Sequence, residues 1–165
     1  MLTKEVFSEC LDRKPLSTSV DNYYDLLSAF CKSLRGSDAD AALFYSSRLI
    51  EAGCDPLIIA RRMIAHASED IGMADSNALL MAICAHYAVK NLGVPEALLN
   101  LSHAIIYICE AEKSNSVLKA KDAAMADAIT LRDDAVPNHL KNHPSTNSDG
   151  HSKYKYPHDF GGWNY

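Results

Sequence analysis

Nowhere in these 165 residues does an apolar run approach the roughly 20 residues that a membrane-spanning helix needs, because Ser, His, Asn or Lys interrupts every candidate. No secretory-signal pattern opens the chain. The five cysteines (Cys10, Cys31, Cys54, Cys84 and Cys109) are odd in number, lie far apart and form no CxxC pair. That argues against a disulfide framework or a zinc knuckle; reduced, small apolar residues fit a cytoplasmic location. Positive charge is not in excess either. A formal net charge of -5 gives no global pull towards nucleic acid, so any DNA contact must come from a local patch. The nucleotide-binding loop G-x-x-x-x-G-K followed by Ser or Thr is missing, and with it the backbone cradle for phosphates, so ATP hydrolysis is not expected of this chain. No nucleophile sits in a strand-to-helix elbow, and most carboxylates stand at helix starts, where capping explains them.

What remains is the composition of a globular domain, 48% hydrophobic and 22% charged, of a size for one core plus a tail. Capping signals divide it. A short helix is expected from Leu2-Thr3 to Lys14-Pro15, so residues 1–15 form an N-terminal short helix and linker region. Asp21 can cap a second helix, carried by Tyr23, Leu26, Leu27, Phe30 and Leu34 and stopped at Gly36. Ser37 is the expected N-cap of a third, with Asp38 and Asp40 at the positive end of its dipole, and Gly53 closes it. Asp55-Pro56 starts a fourth that ends near Ile71-Gly72. Asp75 or Ser76 opens a fifth, running to Asn91. Pro95-Glu96 begins a sixth, to Cys109, and Ser114 caps a seventh through Val117 and Ile129. After Leu131 the Pro, Gly and polar content predicts a non-helical tail. The expected fold is all-α, an irregular bundle of helical hairpins over residues 20–132, with a tail over 133–165.

Two helices are too apolar for a domain surface. Residues 78–89 offer only His86 and the Tyr87 hydroxyl as polar groups, and the helix carrying Leu98, Leu99, Leu101, Ile105, Ile106 and Ile108 is little more polar. Either both are central or one presents its spare face to another subunit.

Several charged groups admit two readings. Arg35, Ser37 and Asp38 are explained by a helix stop followed at once by a helix start, but Arg35 can also meet a phosphate or another subunit. Arg61 and Arg62, with Glu69 and Asp70, suit a salt-bridged network in which one arginine pairs with a carboxylate, or an anion site. His139 and His143 have the spacing of two metal ligands. No rigid frame joins them to His151 or His158, so no metal is expected. His66, His86 and His103 read as buried, satisfied histidines. Five of the thirteen aromatics fall in the last twelve residues. Lys153, Tyr154, Lys155, Tyr156, Phe160 and Trp163 are therefore candidates for stacking on single-stranded bases or for docking in a groove; Asp159 and the Gly161-Gly162 pair favour docking.

The segments Ser33-Leu34-Arg35-Gly36-Ser37-Asp38, Glu51-Ala52-Gly53-Cys54-Asp55-Pro56, Ala60-Arg61-Arg62-Met63, Ala67-Ser68-Glu69-Asp70-Ile71-Gly72-Met73-Ala74-Asp75, Gly93-Val94-Pro95-Glu96, Lys113-Ser114-Asn115 and Tyr154-Lys155-Tyr156-Pro157-His158-Asp159-Phe160 closely resemble the C-terminal part of RarA/MgsA-type AAA+ ATPases, whose eukaryotic relative is the Werner-helicase-interacting protein. The resemblance implies a domain related to the collar of clamp loaders that assembles the family into tetramers. It also implies work at stalled or damaged replication forks, with DNA, single-strand-binding protein and replisome components as partners, no membrane, and Lys113 among the candidate contacts. ATP and Mg would belong to the ATPase part, which is missing. Between His143 and Ser152 the family's short basic helix is replaced by Pro144-Ser-Thr-Asn-Ser-Asp-Gly150. The chain ends at Tyr165, a little early for the family, and whether Met1 is a natural start stays open. The alternative expectation is a monomeric helical module that docks a peptide or single-stranded DNA.

Overall fold

Several of the described helix ends lie where a specific backbone group finds a partner. The computed structural model describes residues 20–131 and 136–141; the expected helix before Pro15 and the aromatic tail lie outside the described residues. Among those described there are helices and no strand. α1 spans Val20–Arg35, α2 Ala39–Glu51, α3 Pro56–His66, α4 Asn77–Asn91, α5 Ala97–Glu110 and α6 Ser116–Thr130. Asp21 lies within α1 rather than before it.

The α1–α2 junction corrects the expected cap. The N-cap is Asp38, whose carboxylate accepts from the Ala41 N–H at 2.9 Å, not Ser37. Ser37 belongs to the end of α1 instead, at φ 61°. Its N–H reaches the Leu34 carbonyl at 3.3 Å and that of Asp38 reaches Ser33 at 3.0 Å, the paired bonds of a Schellman stop. Gly36 precedes the left-handed residue rather than supplying it. α2 ends with the same pairing: Cys54 N–H bonds Leu49 O and Gly53 N–H bonds Ile50 O, both at 2.9 Å. There the left-handed residue is a glycine, Gly53 at φ 85°. Asp55 caps α3 through the Leu57 N–H at 2.9 Å, with Pro56 in the first turn. At α4 the N-cap position is Ser76, without a side-chain cap bond, and the preceding Asp75 accepts the Asn77 N–H at 3.0 Å instead.

α3 does not continue as a regular α-helix to Ile71. Residues Ala67–Ile71 form a π turn, closed by the Gly72 N–H on the Ala67 carbonyl, and Gly72–Ala74 form a 3-10 turn. Nothing in the residue pattern signals the wider turn.

The core is built by α1 to α5 and the π turn. Phe30, Leu34, Leu49, Ile59, Met63, Ile71, Leu101, Ile105 and Ile108 are its largest fully buried side chains. α1 packs on α2, α3 on α4, α4 on α5, and α2 and α1 also meet α5. The chain divides into two compact units, residues 1–123 and 124–165, the division falling within α6. No residue of α6 is buried. In the second unit the described tail residues include a 3-10 turn, Asn138–Leu140, held by the Leu140 N–H on Pro137 O at 2.9 Å.

Candidate functional site

Two features of the first unit exceed what packing alone requires: a polar hub between α1 and the π turn, and an apolar face on α4.

The hub centres on Asp70. Arg35, the last residue of α1, sends Nη2 to Glu69 Oε1 at 2.9 Å and Nε to Asp70 Oδ1 at 3.1 Å. The second carboxylate oxygen of Asp70 meets His66 Nδ1 at 2.6 Å. Its main-chain carbonyl accepts the Ser114 N–H at 2.7 Å. One residue thus ties the end of α1, the end of α3 and the approach to α6 together. Arg35 is 54% exposed, so its ion pairs are worth no more than about 1 kcal/mol, and geometry rather than energy is their larger effect. The hydrogen bond with Asp70 strengthens the Arg35 charge and raises its pKa. The His66 pKa is also raised: a hydrogen bond with Cys31 is the largest influence, burial opposes it, and Asp70 supports it.

The expected partner of Glu69 and Asp70 therefore changes. It is Arg35 from another helix, whereas Arg61 and Arg62 are exposed and make no ion pair among the described residues. Arg62 instead lines an open cleft of about 380 Å³ with Tyr24, Cys31, Lys32, Arg35 and His66. A second cleft, of about 480 Å³, lies between Arg35, Asp70, Lys113, Ser114 and Asn115. Lys113 is committed to structure: its Nζ donates to the carbonyls of Ile108, Cys109 and Ala111 at 2.7, 3.1 and 2.9 Å. That closes the α5 C-terminus, and burial lowers the Lys113 pKa.

Of the three helical histidines only His66 is buried; His86 is half-buried and His103 exposed. The expectation of three buried histidines fails for His103, which lies on the outer side of α5. Sequence reasoning also passed over Cys31, His66 and Asp75 as site residues. Asp75 accepts the Tyr107 hydroxyl at 2.8 Å as well as the Asn77 N–H, and the first bond raises the Tyr107 pKa. Lys153, Tyr154, Lys155, Tyr156, Phe160 and Trp163 lie outside the described residues.

The second feature separates the two over-apolar helices. α5 buries Ala97, Leu101, Ala104, Ile105, Ile108 and Cys109 and is a central helix. α4 turns its small residues inward, Ala78, Ala82, Ala85, Ala88 and Val89. Leu79 and Met81 are half-buried against the core, while three large residues face out: Leu80 is 58% exposed, Ile83 45% and Tyr87 67%, with Cys84 exposed among them. Positions 80, 83, 84 and 87 follow the i, i+3, i+4, i+7 rule of a single helix face. No Asp, Glu, Lys or Arg occurs between Asn77 and Val89.

A family model described as MgsA AAA+ ATPase C terminal matches residues 36–164. Replication-associated recombination protein A of Bacillus subtilis is 44% identical over 175 aligned positions, covering 98% of this chain and 40% of that protein. The protein of the same name from Escherichia coli K12 is 46% identical over 142, covering 84% of this chain and 32% of its own length. ATPase WRNIP1 of Dictyostelium discoideum is 40% identical over 147, covering 88% and 17%. The chain thus spans well under half the length of these relatives.

Proposed function

This chain belongs to the MgsA AAA+ ATPase C-terminal family, and on that premise we propose that it is a non-catalytic assembly domain that joins subunits into a homotetramer. The observation that carries the reading is the outward face of α4. Leu80, Ile83, Cys84 and Tyr87 form an uncharged stripe on a helix whose inward side is already filled by alanines. A helix that keeps a stripe of large apolar residues outside leaves their burial to a second surface. The collar-like role inferred from the family resemblance gives that surface an identity, another copy of the chain.

The setting we propose for the assembly rests on the family resemblance and on the names of its relatives. Two of them are named replication-associated recombination proteins, which supports cytoplasmic work on DNA at stalled or damaged forks, with single-strand-binding protein and replisome components as partners. No phosphate-binding loop of the G-x-x-x-x-G-K form occurs in these 165 residues, and in this reading ATP and Mg are assigned to the ATPase part of the family's proteins. No helix among the described residues is long and apolar enough to cross a membrane.

Light scattering on the eluted chain at micromolar concentration tests the assembly role. The expected mass is four times 18.1 kDa. A single-chain mass would overturn it in favour of a monomeric docking module. Binding of single-stranded oligonucleotides that weakens with salt and disappears on deletion of residues 153–165 would support that alternative directly.

A further inference from the structure

We infer that the open cleft between α1 and α3 is a binding site for a phosphate group of a nucleotide or a single strand, taken up by Lys32 and Arg62 beside the ring of Tyr24. The inference is independent of the assembly role, which rests on α4.

Ion pairing leaves these two cations unused. Glu69, which lines the cleft, and Asp70 both bind Arg35, through Nη2 at 2.9 Å and Nε at 3.1 Å. Lys32 and Arg62 line the same cleft, are exposed, and make no ion pair among the described residues. Three fixed cations, Lys32, Arg35 and Arg62, therefore meet one carboxylate in the lining, and two when Asp70 is counted with them. The excess is positive on a chain whose formal net charge is -5, so it belongs to this cleft and not to the surface at large. Arg61 extends it. It is exposed, makes no ion pair among the described residues, and shares with Arg62 a neighbouring opening of about 270 Å³.

The cations are also placed to act together. Tyr24, Ser28, Lys32 and Arg35 all line the cleft and recur every three or four residues, along one face of α1. That face is about 16 Å long at 1.5 Å per residue. Arg62 reaches the cleft from α3, so an anion between the helices is met from both sides. Arg62 can offer a phosphate two parallel N–H bonds, and Lys32 a point charge. A carboxylate is satisfied by one guanidinium. A phosphate monoester carries nearly two negative charges, and successive phosphodiesters carry one each, which suits two separate cations. Tyr24 supplies the other half of such a ligand. Its ring is 63% exposed and rests edge-on against Tyr23, with centroids 5.6 Å apart, leaving a face for a flat base. A volume of about 380 Å³ holds a phosphate with one attached ring system and excludes a duplex.

Two probes test the site on the full chain: adenosine monophosphate, followed by calorimetry, and a labelled thymidine strand of about eight nucleotides, followed by anisotropy. Binding of at least one is expected, weakening as salt rises. Arg62→Glu should weaken it about tenfold or more and Lys32→Glu about fivefold, while Lys90→Glu, the same charge change at the end of α4, should stay within about twofold. Tyr24→Ala should cost about tenfold, since both probes carry a base; no change there would remove the ring from the site. Circular dichroism checks that each variant is folded. A strand that binds more tightly than the monophosphate assigns the site to a nucleic-acid backbone, and the reverse order assigns it to a free nucleotide. Failure of both probes to bind, or an equal loss in Lys90→Glu, overturns the site. So does binding that survives Arg62→Glu and is lost on deletion of residues 153–165, which would move the contact to the tail.

Discussion

At Ser37 a residue with a side chain occupies backbone that favours glycine. Its φ of 61° is the left-handed position of a Schellman stop, and the neighbouring Gly36 does not take it. An L-residue there costs about 1–2 kcal/mol relative to right-handed backbone, while a glycine would lose somewhat more entropy on folding. Ser37→Gly is therefore expected to stabilise the chain by about 0.5–1 kcal/mol, read as a higher denaturant midpoint at unchanged slope. Asp38→Ala should do the opposite, costing about 1 kcal/mol by leaving the Ala41 N–H without its carboxylate. Tyr23 offers a titration at the same scale. Its hydroxyl lies 3.4 Å from Cys54 Sγ, and this bond, with burial, raises its pKa from 10.0 to about 12. The folded chain keeps a proton that the unfolded chain releases, so the stabilisation is whole below pH 10 and declines as pH rises through 12. Difference absorbance between the wild type and Tyr23→Phe should show one phenol titrating near pH 12; a midpoint near 10 would contradict the assignment.

Among the elements, the π turn is the one whose neighbours leave least room for change. Gly72 closes it at φ 52°, ψ -120°, a region open to glycine and strained for other residues. A Cβ there would stand 2.8 Å from Val117 Cγ2 and 3.3 Å from Val117 Cβ. Gly72→Ala is expected to lose about 2–4 kcal/mol, backbone strain and overlap together. Adding Val117→Ala should recover the overlap but not the backbone cost, and full recovery in the double variant would show that the φ value is immaterial. This element also marks where sequence reading stops. A helix start was legible at Asp55, where a carboxylate and a following proline announce it, while the next was legible only as Asp75 or Ser76, with the N-cap at Ser76 and Asp75 accepting the Asn77 N–H. The α1–α2 junction was legible as a boundary, but Ser37 and Asp38 differ by one position, and both are good caps. A π turn has no residue code. Its cause lies in packing between distant segments, as does the choice of Arg35 rather than Arg61 or Arg62 as partner of Glu69 and Asp70. The i, i+4 spacing of His66 and Asp70 was readable; the approach of Cys31, 35 positions before His66, was not.

For the first unit as a whole, α4 carries both the packed inner face and the outward face on which the proposed assembly rests. Its alanines let it pack closely against α3 and α5, so the space on that side has no reserve. Ala82 is fully buried, and Ala82→Leu should overpack the interior and cost about 1–3 kcal/mol of stability. One position further on, Ile83 is 45% exposed, and Ile83→Asp should leave the folded subunit within about 0.5 kcal/mol of the wild type. If the outward stripe joins subunits, that same change should dissociate them, because it places an unpaired charge in an apolar contact. The pair of variants separates folding from assembly on a single helix. Ala82→Leu should lower the thermal midpoint of the isolated subunit. Ile83→Asp should keep the helical circular dichroism while the scattering mass falls to that of one chain. An Ile83→Asp protein that stays assembled would remove α4 from the interface and leave its apolar face without a role in joining subunits.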